Sequence, residues 1–208
     1  GFHKAKGHTQ YPSADSFARM LIDLNKCVAP KLYVMDGIVA MEGNGPGSGD
    51  PVPMNVLLMS TDPVALDSVF ARLVYLKPEM VPTNYHGEKM GLGTWKEEEI
   101  TLLTPDGEIS MAEAVKKYGN PAFNVDRTEV RKNIWTRMAG ALNIFQKKPY
   151  IEADKCVRCG ICVQSCPVPG KAVDFRKGKG KPPVYDYRKC IRCFCCQEMC
   201  PKKAIKVK

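Results

Sequence analysis

Two copies of one cysteine pattern limit this chain more than any other feature. The first runs Cys156-x2-Cys159-x2-Cys162-x3-Cys166-Pro167, and the second Cys190-x2-Cys193-x2-Cys196-x3-Cys200-Pro201. Three thiols on one short loop suit a shared metal centre better than bridges to distant partners. Tandem runs at this spacing, each closed by Cys-Pro, are the pattern of a protein that binds two 4Fe–4S clusters. Zinc is the main rival for a site of four cysteines; the matched repeats and their closing prolines favour iron–sulfur. Cys195 breaks no spacing and is read as a non-ligand beside the second cluster. Thiols kept for metal imply a reducing compartment, and so a cytoplasmic location.

The two runs form an internal repeat. Asp154-Lys155-Cys156-Val157-Arg158-Cys159 aligns with Arg188-Lys189-Cys190-Ile191-Arg192-Cys193, and the pairs Ala172-Val173 and Ala204-Ile205 follow the two Cys-Pro ends. This predicts a small α+β module with pseudo-twofold symmetry, short strands and two short helices. Its charge is unusual. Tyr150 to Lys208 hold 14 Lys+Arg against 5 Asp+Glu, which is the whole formal net charge of +9, while residues 1–149 carry 17 of each sign. A basic segment raises the question of nucleic acid. Four thiolates around an oxidised cluster core leave roughly −2 per site, so two clusters offset part of the excess and nucleic acid is the disfavoured partner. The insert Arg176-Lys177-Gly178-Lys179-Gly180-Lys181-Pro182-Pro183 reads first as a solvated loop, and second as an electrostatic docking site for an acidic redox partner.

Upstream, the pattern is that of an α/β domain. Ser13 caps a helix over 13–27 with Phe17, Met20, Leu21 and Leu24 on one face; Cys27, near its end, reads as a small buried hydrophobe. Leu32–Met35 and Val56–Met59 are apolar runs read as buried strands, with Asp36-Gly37 ending the first. Asp62-Pro63 starts a helix whose stripe is Leu66, Val69, Phe70 and Leu73. A turn-rich stretch from Pro82 to Gly93 holds a short helix. Ile100–Leu103 is expected as a strand, Ser110-x-x-Glu113 is a capping box, and Asp126-x-x-Glu129 opens an amphipathic helix through Val130, Ile134, Met138, Leu142 and Phe145. Residues 146–153 read as the linker. No apolar run approaches the roughly 18 residues needed to span a bilayer. The start, Gly1-Phe2-His3-Lys4, is neither a signal peptide nor an initiator methionine, so a processed piece or fragment is expected.

Between the first two strands lies Met41-Glu42-Gly43-Asn44-Gly45-Pro46-Gly47-Ser48-Gly49-Asp50. Its alternating glycines would let backbone amides cradle an anion, but it is neither a Walker loop nor a dinucleotide fingerprint. Asp36, Glu42 and Asp50 could hold a hard cation such as Mg²⁺, or cap turns and face water. With Asn44 they form the candidate ligand loop. His3, His8 and His86 are too scattered for a metal triad and read as surface or hydrogen-bonded histidines.

The string from Met35 to Pro46, then Gly49-Asp50-Pro51 and Ser60-Thr61-Asp62-Pro63-Val64-Ala65-Leu66-Asp67, resembles the family called domain of unknown function 362. Lys4 to His8 and Gly91-Leu92-Gly93 also match its pattern. The resemblance covers roughly residues 1–105, and its members often end in a two-cluster ferredoxin module. It implies that residues 1–149 are the later part of an incomplete α/β domain with a mixed sheet and helices, and that 150–208 are a ferredoxin-like domain. In such ferredoxins the fourth cysteine of each run ligates the other cluster. Cluster one is then expected on Cys156, Cys159, Cys162 and Cys200, and cluster two on Cys190, Cys193, Cys196 and Cys166.

Three functions follow as expectations. The chain is an electron-transfer protein, a ferredoxin-dependent reductive enzyme with a substrate or anion site in the α/β domain, or a scaffold whose clusters are structural. The counterpart is a redox partner protein or a small-molecule substrate.

Overall fold

The computed structural model describes residues 7, 10–11, 13–45, 48–128 and 147–208. The chain divides into two compact units, one made of residues 13–43 and 50–128, the other holding 147–208. Helices and small antiparallel sheets make up both.

In the first unit, helix α1 (Ala14–Val28) starts at Ser13, whose hydroxyl accepts the Ser16 N–H at 3.1 Å. It stops where Ala29 turns left-handed. The buried face is Ala18 and Ile22 rather than the expected stripe, for Leu24 lies 52% exposed. Cys27 sits on the same outward side and is exposed, which corrects its reading as a core residue.

The two apolar runs are longer than expected. Strands β1 (Tyr33–Asn44) and β2 (Ser48–Ser60) pair in one sheet. Only residues 45–47 join them, too short a connection for parallel strands, so they form a hairpin. Asp36-Gly37 therefore does not end the first strand. Asp36 accepts the Ile38 N–H at 3.1 Å within it. Gly37 lies where an added Cβ would stand 2.8 Å from Val56 Cγ2 and 3.2 Å from the Val56 carbonyl oxygen. The glycine serves close approach of two strands, not a turn. Nor are the runs buried on both sides: Met54 and Val56 face the core, while Val34, Leu57 and Met59 are exposed.

Helix α2 (Pro63–Leu73) is capped by Asp62 and buries Val64, Ala65, Leu66, Ser68, Val69, Ala71 and Leu73. Ser68 is tolerated in that interior because its hydroxyl donates to the Ala65 carbonyl at 2.8 Å. Helix α3 (Pro82–Lys89) packs on α1 and α2. His86 meets Asp15 at 3.0 Å, the hydrogen-bonded role expected of it. Strands β3 (Leu102–Thr104) and β4 (Gly107–Ile109) form a tight hairpin, and helix α4 (Met111–Tyr118) carries the complete Ser110–Glu113 capping box. Met54, Val56, Leu73, Val74 and Phe123 form the core, where Phe70 meets Phe123 edge to face, 6.3 Å between centroids. The Arg127 guanidinium donates to the carbonyls of Val74 (2.8 Å) and Phe123 (2.7 Å) and fastens the following segment to that core. The helix expected from Asp126 onward lies outside the described residues beyond Thr128, as do His3 and His8.

The second unit is built on two short ladders. Strand β5 (Pro149–Ile151) pairs with the final strand β8 (Ile205–Val207); β6 (Val173–Asp174) pairs with β7 (Val184–Tyr185). The strand before each cysteine run thus pairs with the strand after the other run, which interlocks the repeats. Helices α5 (Ile161–Gln164) and α6 (Cys195–Glu198) follow the paired cysteine loops. Residues 149–151, expected as linker, belong to this sheet instead. The Lys148 N–H donates to the Lys208 carbonyl at 2.7 Å and the Lys208 N–H returns a bond at 3.0 Å.

Candidate iron–sulfur site

The interior of the second unit is largely sulfur. Cys162, Cys166 and Cys196 are buried with Ala172, Val173 and Ile205, and Cys190, Cys200, Ile151 and Tyr185 pack against them. None of the ten cysteines is paired in a disulfide. Burial, reinforced by Cys196 nearby, pushes the Cys162 thiol up to about 11. Burial does the same at Cys196, to about 11, and at Cys193, to about 12. These thiols keep their protons near neutrality until a metal displaces them. A unit this small builds only a marginal hydrophobic core on its own.

Repeated backbone geometry surrounds the sulfurs. Arg158 and Arg192, at matching positions of the two loops, both have positive φ (58° and 56°). Two residues on, Gly160 (77°) and Phe194 (55°) do the same. Left-handed residues alternating with ordinary ones turn successive N–H groups towards the inside of a loop, the arrangement that receives an anionic centre. Phe194 adopts this conformation without a glycine's freedom, at a cost of roughly 1–2 kcal/mol. Two further amides reach sulfur directly: the Ala172 N–H donates to Cys166 Sγ, and the Ala204 N–H to Cys200 Sγ, both at 3.3 Å. The Tyr185 hydroxyl lies 3.1 Å from Cys196 Sγ. The side-chain nitrogen of Gln197 is buried without a hydrogen-bond partner, one residue after Cys196. Clustered cysteines outside any disulfide, amides that donate to sulfur and an orphaned donor together fit an anionic iron–sulfur group.

One cavity in this unit is lined by Cys156, Cys159, Cys162 and Cys200, with Ile151, Pro183 and Ile205 closing it. Three of those cysteines come from the first run and one from the second. Cys195 is buried at the first position of α6, directly before Cys196 in the chain. Among the described residues no three His, Cys, Asp or Glu side chains converge tightly enough to hold a single metal ion.

The candidate loop of the first unit looks different. Asp36 is exposed and bonded within its own strand. Glu42 accepts the Asn124 N–H at 2.7 Å, and the Gly43 N–H donates to the Asn124 carbonyl at 3.1 Å, so this part of β1 is stitched to residue 124. Asp50 is exposed on β2, and β1 ends at Asn44. Asp36, Glu42 and Asp50 are thus not gathered around one point. The sequence reading passed over Tyr185. The signal was there, because aligning the two repeats sets Tyr185 against Ile151.

No helix among the described residues is long and apolar enough to cross a membrane. The family model described as domain of unknown function 362 matches residues 1–72, and the 4Fe-4S dicluster domain matches residues 148–201. A thylakoid-associated protein of Synechocystis sp. is 43% identical over 79 residues, which are 38% of this chain and 25% of that protein. The chain therefore covers about a quarter of that relative's length. No solved structure matches the chain. The dicluster match supports iron–sulfur binding and electron transfer by the C-terminal region. The chain thus pairs a segment similar to the domain of unknown function 362 with a segment similar to a 4Fe-4S dicluster domain.

Proposed function

We propose that residues 150–208 carry electrons through two 4Fe–4S clusters, one on Cys156, Cys159, Cys162 and Cys200 and the other on Cys190, Cys193, Cys196 and Cys166. The observation that supports this most is the cavity whose cysteines come three from one run and one from the other. The paired ladders supply the reason for the exchange, since each run is tied by its strands to the far end of the other. Each cluster supplies one-electron transfer when bound. The chain's own part is to hold the ligands, keep water from the buried sulfurs and place N–H donors on them. Residues 1–149, on this reading, are a separate domain that meets the donor or acceptor of those electrons, a redox protein or a small molecule. Cysteines kept for metal ligation favour a reducing, cytoplasmic setting.

The test is anaerobic purification with iron and sulfide analysis, then a reductive titration followed by EPR. Roughly eight irons per chain are expected. Cys200→Ser should abolish the same EPR signal as Cys156→Ser, and Cys166→Ser the same signal as Cys190→Ser. Cys195→Ala should keep the full iron content. If Cys200→Ser instead removed the signal lost with Cys190→Ser, the exchanged assignment would be wrong.

A further inference from the structure

We propose that the Tyr185 hydroxyl makes the two clusters unequal, raising the potential of the one on Cys196 so that it holds the electron. This rests on the ligand assignment above. The pseudo-twofold relation between the repeats allows a position-by-position comparison. Cys190 follows Tyr185 by the same interval as Cys156 follows Ile151. The ladders give the same equivalence: Tyr185 pairs with Val173, and Ile151 pairs with Ile205. Val173 and Ile205 are themselves matching residues after the two Cys-Pro ends. Tyr185 and Ile151 therefore occupy one structural position, once beside each site.

Donors common to both repeats cannot separate the sites. The Ala172 and Ala204 amides are such a pair, each 3.3 Å from the fourth sulfur of its run. Under the exchanged assignment each cluster receives one. The contact between Tyr185 and Cys196, at 3.1 Å, has no counterpart, because Ile151 carries only hydrocarbon and lines the cavity of the first cluster. A ligating sulfur is a thiolate and has no proton to give, so the hydroxyl must be the donor. The bond sits against the buried cysteine core, where low polarity strengthens it.

The sign follows from charge. Reduction by a low-potential one-electron donor adds one electron to the cluster, breaks no bond and leaves the tyrosine proton where it is. The charge-richer reduced state gains more from the donor than the oxidised state does, which raises the potential. An electron arriving at either cluster then rests on the one beside Tyr185. Tyr185 is a positioning and tuning residue, held by stacking on Tyr187 (5.6 Å between centroids, 15° between planes), whose own hydroxyl donates to the Pro149 carbonyl at 2.9 Å.

The experiment is an EPR-monitored redox titration of the loaded full chain and of Tyr185→Phe, with iron content measured on both. The variant should keep its iron, move the higher of two reduction steps to lower potential and leave the other in place. Site-specific 3-fluorotyrosine at position 185, a stronger donor of nearly the same size, should move that step upward, a result that a merely structural role would not give and that stands even if Tyr185→Phe loads poorly. Unchanged steps in both variants, or equal shifts of both steps, overturn the proposal. Iron for a single cluster in the parent chain overturns the ligand assignment itself, and this is read before any variant is made.

Discussion

Both oxygens of Asp62 are engaged by backbone. Oδ1 accepts the N–H groups of Val64 (2.7 Å) and Ala65 (3.0 Å), and Oδ2 accepts the Thr94 N–H at 2.8 Å. One carboxylate thus caps α2 and anchors a loop 32 residues away in sequence. Loss of a cap of this kind costs about 0.5–2 kcal/mol, and Asp62→Ala should fall at the upper end because the Thr94 amide loses its acceptor too. Urea unfolding followed by circular dichroism measures it. Gly93 is needed for the same contact, since a Cβ there would stand 1.8 Å from Asp62 Oδ1. Gly93→Ala should destabilise on its own, and the double variant should lose less than the two singles together, because removing the carboxylate removes the clash. Additive losses would show that the two residues act separately. The capping role of Asp62 was readable from Asp-Pro before an apolar stripe. The part played by Gly93 was not, because it depends on a residue brought near only by the fold.

Elements were legible where the signal was local. Ser13, Asp62 and the Ser110–Glu113 box each mark a helix start that the structure keeps. The β1–β2 hairpin was misread at Asp36-Gly37, a pair that ends strands when followed by a turn but here admits Val56 to close range. The inward face of α1 was also misjudged, since periodicity ranks Leu24 with the core and cannot know which side the rest of the unit covers. Helix α2 offers a pH test at this scale. Burial raises the Asp67 carboxyl above its ordinary value. The folded chain therefore binds this proton more tightly than the unfolded chain does. Stability from this group is fully present below the ordinary carboxylate value of about 4, and is lost as pH rises through the raised value. Asp67→Asn should be more stable than the parent in neutral buffer, and the gap should narrow in mildly acidic buffer. Urea midpoints at the two conditions decide it; a gap that is absent or widens on acidification is incompatible with a half-buried Asp67 whose carboxyl is raised by desolvation.

On the scale of the whole molecule, the cysteine pattern made the C-terminal chemistry readable because ligand spacing is local. The first unit offered no comparable code: Glu42, read as a possible ligand, turns out to tie β1 to Asn124. The uneven charge adds a consequence that belongs to no single element. The insert between the repeats is exposed from Arg176 to Lys181, and it is not remote from the sulfurs. Arg158, on the first cysteine loop, donates to the Gly180 carbonyl at 3.3 Å, and Pro183 lines the cavity with Cys156, Cys159, Cys162 and Cys200. Lysines held there bias the local field towards anions. Reoxidation of the reduced chain by anionic ferricyanide should therefore slow when Lys177, Lys179 and Lys181 are changed to Glu, while reoxidation by the cationic hexaamminecobalt(III) ion should speed up. Both effects should shrink with added salt, as the screening length falls to about 10 Å at 0.1 M. Stopped-flow rates across an ionic-strength series test this directly. Rates that ignore both the reversal and the salt would make the insert a solvated spacer, and the positive charge of the module would then serve only to balance its clusters.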